Sequence, residues 1–304
     1  MRVAVVDIGS NSTRLLVAEV EGERVSAELE RHSRVTRLGA GVDSSGRLQE
    51  DARERVFTVL EDYRRLIDEQ GATRAVAVLT SAVRDATDGR EFAQDVGERY
   101  GLEPHVLSGE EEARLTFLGA TGERDAGDRT PTLVIDVGGG STELVIGKGR
   151  RAGFHVSTQA GVVRQSERHI HSDPPSEAEV EELAQDVRRV LREAVPAEQR
   201  RAVERGIAVA GTATSLGAIA QRLQPYDPER VHGYRLSGEE RRRIRAQLVA
   251  MPLAERRGVP GLHPDRAPTI IPGVLILEAV MELFGLSELE ISEHDILRGA
   301  ALGL

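Results

Sequence analysis

Residues 7–17 read DIGSNSTRLLV, and residues 136–146, which read DVGGGSTELVI, align with them without a gap. In each copy an apolar, β-branched run precedes an acidic residue, and a glycine-containing turn, a Ser-Thr pair and a second apolar run follow. Two apolar runs joined by a short glycine-containing turn predict a β-hairpin. The repeat therefore predicts a duplicated chain with one such hairpin in each half.

The segment between the two hairpins alternates patterns typical of helices and of strands. Ser108 followed by Glu111 three positions later is the signature of a capping box at a helix N-terminus. Alternation of strands and helices predicts an α/β fold. The expected elements, in chain order, are a helix over 49–70, a strand over 75–80, a helix over 91–100, a strand over 104–107 and a helix from Ser108 through Leu118.

The second half follows the same style with more helix. Polar, glycine-bearing residues 122–130 mark a boundary, which predicts an N-terminal domain over 1–121 and a C-terminal domain over 122–304. A last helix, over about 295–304, is expected to pack back on the first domain. The other expected elements are helices over 176–195, 212–223 and 237–249 and strands over 206–210 and 289–291, with helix 212–223 entered through Gly211.

The composition is that of a folded globular protein. Of the 304 residues, 39% are hydrophobic and 30% are charged, which argues against disorder, and the length suits about two domains. A net charge of −10 is opposite to that of a protein that coats nucleic acid, so no nucleic-acid partner is expected. The absence of cysteine excludes disulfides and thiolate chemistry, so any bound metal must have oxygen or histidine ligands.

The sequence carries no recognisable membrane or secretion signal. Its longest apolar stretch, residues 270–286, contains Pro272, Glu278 and Glu282, so we expect a buried helix there and not a membrane span. The N-terminus leads directly into an apolar strand and does not have the pattern of a signal peptide. A cytoplasmic protein without a membrane partner is therefore expected.

The two hairpin turns carry the residue types that bind phosphate. Glycines allow backbone N–H groups to approach an anion closely, and an aspartate at a strand end can hold a hydrated Mg²⁺ ion. For one copy alone, a tight turn that needs glycine for a positive φ would be the better interpretation. The recurrence of the flanking Asp and Ser-Thr favours phosphate binding, with Asn11 and Ser141 supplying side-chain donors. The predicted phosphate-binding residues of the turns are Gly9, Ser10, Asn11, Ser12, Gly138, Gly139, Gly140 and Ser141.

Two phosphate-binding hairpins in two similar halves resemble the plan of the actin, heat-shock ATPase and sugar-kinase superfamily. That resemblance implies two actin-like (ribonuclease H-like) domains with an interdomain cleft, and residues 209–214 are similar to a later glycine-containing turn of the superfamily. Four motifs narrow the resemblance to the exopolyphosphatase and guanosine pentaphosphate phosphohydrolase family (Ppx/GppA), from residue 3 to about residue 300. These motifs are Asp7–Ser12, Thr80–Ala86, Ser108–Leu115 and Asp136–Glu143.

The family resemblance implies roles for particular carboxylates. Glu112 would be the general base that activates water against a terminal phosphate, with neighbouring Glu111 as the alternative if the register is shifted by one. Asp136 and Glu143 match the metal-binding carboxylates of the family, which implies Mg²⁺, with Mn²⁺ as the alternative. Asp7 would contribute to the metal site through a water molecule.

Two arginines are candidate phosphate ligands. Arg84 is expected in a loop after strand 75–80, where its guanidinium could donate two hydrogen bonds to phosphate oxygens. Arg37 is the second candidate. For both, the alternative is an arginine that stays in solvent.

The family resemblance implies a Mg²⁺-dependent exopolyphosphatase, which would release orthophosphate from the end of inorganic polyphosphate, with an expected preference for short chains. The nearest alternative is removal of the 5′ γ-phosphate from guanosine pentaphosphate (pppGpp). More distant alternatives are a kinase of the same superfamily and a non-catalytic sensor of polyphosphate or alarmone. The sequence leaves the oligomeric state open, with a homodimer as one option.

Overall fold

A computed structural model of the chain describes residues 1–125 and 127–303. The chain forms two compact units, Met1–Arg124 with Asp295–Leu304 and Asp125–His294. Its strands are β1 (Arg2–Ile8), β2 (Ser12–Glu21), β3 (Arg24–Val35), β4 (Arg74–Leu79), β5 (Glu103–Val106), β6 (Thr132–Val137), β7 (Thr142–Lys148), β8 (Arg151–Thr158), β9 (Arg205–Val209), β10 (Arg235–Ser237) and β11 (Glu288–Ile291). Its α-helices are α1 (Val42–Ser45), α2 (Glu50–Glu69), α3 (Ser81–Asp85), α4 (Gly89–Tyr100), α5 (Gly109–Thr121), α6 (Val162–His169), α7 (Glu177–Ala194), α8 (Ala197–Ala202), α9 (Ala210–Gln221), α10 (Pro228–Val231), α11 (Gly238–Ala250), α12 (Leu253–Arg256), α13 (Ile270–Phe284) and α14 (Ile296–Gly303), and a 3₁₀ helix covers Pro264–Arg266.

The first unit is built on a five-stranded sheet in the order β3-β2-β1-β4-β5, in which β1 pairs antiparallel with β2 and parallel with β4. Successive side chains of a strand point to opposite faces of the sheet, so β1 contributes to two hydrophobic cores. Ala4, Val6 and Ile8 pack in the core that contains α2 and α4. Val3 and Val5 pack in the core that contains α5 and α14. The helix α5, which carries Glu112, is thus fixed on one face of the central strands.

The second unit is built on a six-stranded sheet in the order β10-β11-β9-β6-β7-β8. Its core surrounds α13, the helix expected from the long apolar stretch, and the prediction of a buried helix is confirmed. Pro272 lies in the first turn of α13, where a missing N–H removes no intrahelical hydrogen bond. The buried Glu278 carboxylate pairs with Arg241 at 3.0 Å and with Arg245 at 3.1 Å. A charged residue inside this helix is therefore compatible with its burial.

Both predicted hairpins are present, and each is extended by a third antiparallel strand that the sequence did not predict. β3 pairs with β2 in the first unit, and β8 pairs with β7 in the second. Both strands are only partly buried and rich in polar residues, so they lack the apolar run that identifies a strand in a sequence. The duplication therefore covers three strands and not two.

The other predicted helices and strands are also present, close to their expected ends. Helix 212–223 is found as α9, which begins two residues earlier, at Ala210. Ser108 forms the predicted capping box with Glu111. Within residues 1–125 and 127–303, none of the helices combines the length and the apolar character that a bilayer crossing requires.

Candidate active site

The two hairpin turns have the same backbone geometry. Gly9 donates its N–H to the carbonyl of Ser12 at 3.0 Å, and Gly138 donates its N–H to the carbonyl of Ser141 at the same distance. A Cβ atom built on either glycine would lie 3.2 Å from that carbonyl oxygen. Neither glycine has a positive φ, so the interpretation of these turns as positive-φ turns is wrong. Glycine is favoured here because a side chain would crowd the closing carbonyl.

The first turn places buried polar groups next to the short helix α3. The Ser10 and Ser81 hydroxyl oxygens lie 2.9 Å apart, and both residues are buried. Asn11 is also buried, and its Oδ1 atom has no hydrogen-bond partner among the described residues. Unpartnered buried polar atoms are rare in folded proteins, so they point to a ligand or a water molecule. Ser12 is half-buried at the start of β2.

Asp7 lies near the end of β1, and its two carboxylate oxygens differ in their hydrogen bonding. Its Oδ2 atom accepts hydrogen bonds from Arg14 Nε at 2.8 Å and Arg14 Nη2 at 2.6 Å, whereas its buried Oδ1 atom has no partner among the described residues. Burial raises the pKa of Asp7, although Arg14 acts in the opposite direction. Arg14 also donates to Asp295, a buried residue to which the sequence analysis gave no role.

Glu112 lies in the first turn of α5 and is only 7% exposed. Its Oε2 atom accepts a hydrogen bond from Arg84 Nη1 at 2.8 Å, and the same Nη1 atom donates to the carbonyl of Leu107 at 3.1 Å. Burial raises the pKa of Glu112, the Arg84 hydrogen bond and charge lower it, and the charges of Asp7 and Asp85 raise it further. The net shift is upward, because the effect of burial outweighs that of Arg84.

Glu111, the alternative base, is engaged elsewhere. Its Oε2 atom accepts hydrogen bonds from the backbone N–H of Ser108 at 2.9 Å and from the Ser108 hydroxyl at 2.8 Å. These hydrogen bonds lower the pKa of Glu111. Glu111 therefore stabilises the helix N-terminus, and Glu112 is the buried carboxylate of the pair.

Arg84 does not lie in a loop, so that prediction is wrong. The backbone N–H groups of Val83 and Arg84 donate to the carbonyl of Thr80 at 3.1 and 3.0 Å, and residues Ser81–Asp85 form the one-turn helix α3. The turn forms because Ala82 and Val83 are buried in the core of the first unit, which fixes the backbone on either side. Binding of phosphate by Arg84 stays a prediction. Arg37 is exposed and has a positive φ of 51°.

In the second unit, Asp136 and Glu143 face each other directly across β6 and β7. Asp136 is 9% exposed and Glu143 is 2% exposed, and Ser157 Oγ donates to Glu143 Oε1 at 2.8 Å. In the first unit the equivalent cross-strand pair is Asp7 with Arg14, an ion pair. Like charges directly opposite each other destabilise a sheet unless a cation offsets them. The carboxylate and hydroxyl oxygens at this position are ligands suited to Mg²⁺ or Mn²⁺.

The third glycine-containing turn, residues 209–214, does not enter its helix through Gly211 as expected. The helix α9 is entered through Ala210, whose φ is 60°, and Gly211 does not have a positive φ. A Cβ atom on Gly211 would lie 1.6 Å from Nη1 of Arg266. Gly211 therefore provides room for this guanidinium. Arg266 has no sequence signal that links it to Gly211, because the two residues are far apart in the chain.

Each half contains a three-stranded hairpin followed by parallel strands, with a buried aspartate at the last position but one of its first strand, β1 or β6. This duplication defines an α/β protein with two actin-like domains. The profile of the family described as "Ppx/GppA phosphatase family" matches residues 15–302. Exopolyphosphatase 2 of Mycobacterium tuberculosis is 38% identical over 315 aligned positions, which cover 100% of this chain and 98% of that protein.

Solved structures agree with these sequence comparisons. An exopolyphosphatase-like protein superposes with a TM-score of 0.90 at 34% identity, covering 100% of this chain and 98% of that chain. The Aquifex aeolicus member of the Ppx/GppA family superposes with a TM-score of 0.82 at 32% identity, covering 99% of this chain and 96% of that chain. The chain belongs to the Ppx/GppA phosphatase family and is a hydrolase that acts on phosphoanhydride bonds. The predicted family, fold class and enzyme class are confirmed.

Proposed function

We propose that this protein is an exopolyphosphatase that hydrolyses the terminal phosphoanhydride bond of inorganic polyphosphate in the presence of Mg²⁺. The observation that carries the proposal is Glu112, a buried carboxylate at a helix N-terminus whose orientation Arg84 fixes at 2.8 Å. Binding of a polyanion alone would not require a buried carboxylate, whereas a carboxylate in this position can orient and deprotonate a water molecule. The similarity over the full length to a protein named exopolyphosphatase supports this choice of substrate.

In the proposed reaction, Glu112 accepts a proton from a water molecule as the water oxygen bonds to the terminal phosphorus. The P–O bond to the rest of the chain breaks, and orthophosphate and the shortened polyphosphate leave. Positioning contributes more than basicity in this type of transfer, because its transition state is loose. Arg84 contributes by holding the Glu112 carboxylate in one orientation and by opposing the upward shift of its pKa.

Backbone N–H groups of residues 9–12 in the first unit and residues 138–141 in the second unit are the proposed phosphate donors. Asp136 and Glu143 are the proposed metal ligands, and Asp7 is proposed to act through a water molecule. Bound Mg²⁺ would neutralise the negative charge that develops on phosphate oxygens. The donor set supports this choice, since Asp136 and Glu143 bring two carboxylates to one cross-strand position and carboxylate oxygens are ligands that Mg²⁺ favours.

The test measures orthophosphate release from tripolyphosphate, from polyphosphate hundreds of units long and from pppGpp, each with Mg²⁺ and with a chelator. Wild type should release orthophosphate from polyphosphate in Mg²⁺ only, and Glu112→Gln should lower turnover by about 100-fold or more. Glu110→Gln, an exposed neighbour in the same helical turn, is the matched control and should keep turnover within about twofold.

Each alternative has its own outcome in this assay. Faster release from pppGpp than from any polyphosphate would assign the protein to the alarmone substrate. Equal turnover by wild type and Glu112→Gln would show that Glu112 is not the general base. Faster cleavage of the long polymer would contradict the expected preference for short chains.

A further inference from the structure

In the second unit, the carbonyl groups of the glycine turn are held by the start of α6. The N–H of Val162 donates to the carbonyl of Gly138 at 2.9 Å, and the N–H of Val163 donates to the carbonyl of Gly139 at 2.8 Å. The next carbonyl, that of Gly140, accepts from the side chain Nε of Arg164 at 3.0 Å. Three consecutive carbonyl groups of the turn are thus bound by residues 161–164, which we call the second brace.

The approach of the second brace to the turn is so close that only glycine fits at its first position. A Cβ atom on Gly161 would lie 2.2 Å from the carbonyl carbon of Gly140 and 2.3 Å from the carbonyl oxygen of Gly139. Both contacts are with backbone, which cannot move aside as a flexible side chain could. The position of the brace is therefore fixed by backbone contact.

In the first unit, residues after the third strand also bind carbonyl groups of the turn, but in the opposite order along the chain. The N–H of Gly39 donates to the carbonyl of Ser10 at 2.8 Å, and those of Thr36 and Arg37 both donate to the carbonyl of Asn11 at 3.0 Å. A Cβ atom on Gly39 would lie 2.7 Å from the Cβ of Ser10. Residues 36–39, the first brace, follow β3 as residues 161–164 follow β8. In both halves, therefore, backbone N–H groups that follow the third strand bind carbonyl groups of the turn.

A hydrogen bond to a carbonyl group also fixes the orientation of the next N–H group, because both belong to one planar peptide. In a trans peptide the C=O and the following N–H point in opposite directions, and the peptides of both turns are trans. A carbonyl directed at the brace therefore directs the next N–H away from it. The N–H groups fixed in this way are those of Asn11 and Ser12 in the first unit and those of Gly139, Gly140 and Ser141 in the second.

We propose that the two braces are positioning segments, which fix the N–H groups of the turns in the orientation that binds phosphate, and that Arg164 is a positioning residue of the second brace. This inference rests on the proposed function, because it takes the turns as the phosphate donors. Arg164 acts through the Gly140 carbonyl, and its guanidinium restrains the peptide that carries the Ser141 N–H. Pre-organised N–H groups bind an anion without first paying the entropy of ordering the turn.

The decisive experiment measures the binding of tripolyphosphate with Mg²⁺ by calorimetry in the Glu112→Gln background, in which the ligand is not consumed. Adding Arg164→Gln removes the side-chain donor to Gly140 and leaves the backbone unchanged. We expect the Kd to rise about tenfold, which corresponds to about 1.4 kcal/mol, with a Tm change below about 2 °C. Arg168→Gln, an exposed arginine one turn later on the same helix, is the matched control and should leave the Kd unchanged.

A second pair of variants extends the test to the first brace. Gly39→Ala places a methyl group against Ser10 and should weaken tripolyphosphate binding by a similar factor. Gly97→Ala is its control, because a Cβ at Gly97 would have no neighbour closer than 3.5 Å. In the wild-type background, Arg164→Gln should raise KM and leave unchanged the acidic limb of the pH profile, which reports on Glu112. A purely structural role would lower the Tm without this selective effect on KM.

The outcomes separate this inference from the proposed function. Failure of the Glu112→Gln chain to bind tripolyphosphate would overturn the proposed function. Equal Kd values for Glu112→Gln with and without Arg164→Gln would overturn the positioning role alone. Since Arg164→Gln does not alter the backbone, its result decides the inference even if Gly39→Ala fails to fold.

Discussion

Glu112 shows how one side chain can be predicted from sequence while its environment cannot. The segment Ser108–Leu115 predicts the start of a helix, and its resemblance to the family implies a general base. The capping box of Ser108 with Glu111 is confirmed. The partner Arg84 lies 28 positions away and contacts Glu112 only because α3 and α5 are brought together by the fold. Local spacing therefore predicts the carboxylate, and long-range packing determines its pKa.

Dependence on long-range packing also explains why the contacts of Asp295 and Arg164 could not be predicted from the sequence. Asp295 contacts Arg14 across 281 positions of the chain, and Arg164 contacts Gly140 across 24. Neither pair has a local spacing that a motif could record. Their roles follow from the register of the strands and from the segments that come after β3 and β8.

The raised pKa of Glu112 predicts the pH dependence of the enzyme. As the proposed base, Glu112 must be ionised, so kcat/KM should fall as the pH falls through the Glu112 pKa, at a higher pH than an ordinary glutamate would give. Arg84 lowers this pKa, so Arg84→Gln should move the acidic limb to still higher pH. The measurement is kcat/KM for tripolyphosphate against pH, for wild type and Arg84→Gln side by side.

The substrate titrates in the same way in both assays, so a difference between the two pH profiles comes from the enzyme. Exposed Glu110→Gln is the control variant, and its limb should coincide with that of wild type. An acidic limb that stayed in place or moved to lower pH in Arg84→Gln would show that Glu112 is not the titrating base.

At the scale of elements, the two hairpins demonstrate how a duplicated structure acquires different chemistry. Their turns have the same closing hydrogen bond, but the cross-strand pair is Asp7 with Arg14 in one copy and Asp136 with Glu143 in the other. The hairpins could be predicted because apolar runs and glycine turns have strong sequence signals. The third strands β3 and β8 could not, since ladder hydrogen bonds and not apolar alternation stabilise them.

The opposed carboxylates predict a stability that depends on metal. In metal-free buffer, Glu143→Gln should raise the free energy of unfolding by about 0.5 kcal/mol, because it removes one of two like charges across the strands. Added Mg²⁺ should stabilise wild type, by about 2.7 kcal/mol at one hundred times its Kd, and should stabilise the variant much less. Glu143→Gln should also lose orthophosphate release, together with its stabilisation by Mg²⁺.

Denaturant unfolding with and without Mg²⁺ measures both effects. Glu288→Gln, which changes an exposed glutamate on β11, serves as the control and should keep the full response to the metal. Equal stabilisation of wild type and Glu143→Gln by Mg²⁺ would place the cation elsewhere.

At the scale of the whole molecule, the C-terminal helix α14 completes the first unit although the whole second unit precedes it in the chain. It packs on α5 at a separation that only glycine permits. A Cβ atom on Gly299 would lie 1.8 Å from the carbonyl oxygen of Leu115, and one on Gly119 would lie 1.8 Å from that of Asp295. The position of α5, and of Glu112 at its first turn, therefore depends on the last helix of the chain.

Gly299→Ala tests this dependence. The added methyl group must push α14 away from α5, and overpacking of this kind costs about 1–3 kcal/mol, so we expect the Tm to fall by about 5 °C. Turnover should fall more than tripolyphosphate affinity, because the displaced helix carries Glu112 and not the turns proposed to bind phosphate. Gly97→Ala in α4 is the control, and its Tm should be equal or higher, since an alanine there gains helix propensity without a clash. An unchanged Tm and turnover in Gly299→Ala would mean that the two helices can separate without cost, and that the C-terminal helix does not fix the position of Glu112, the proposed base.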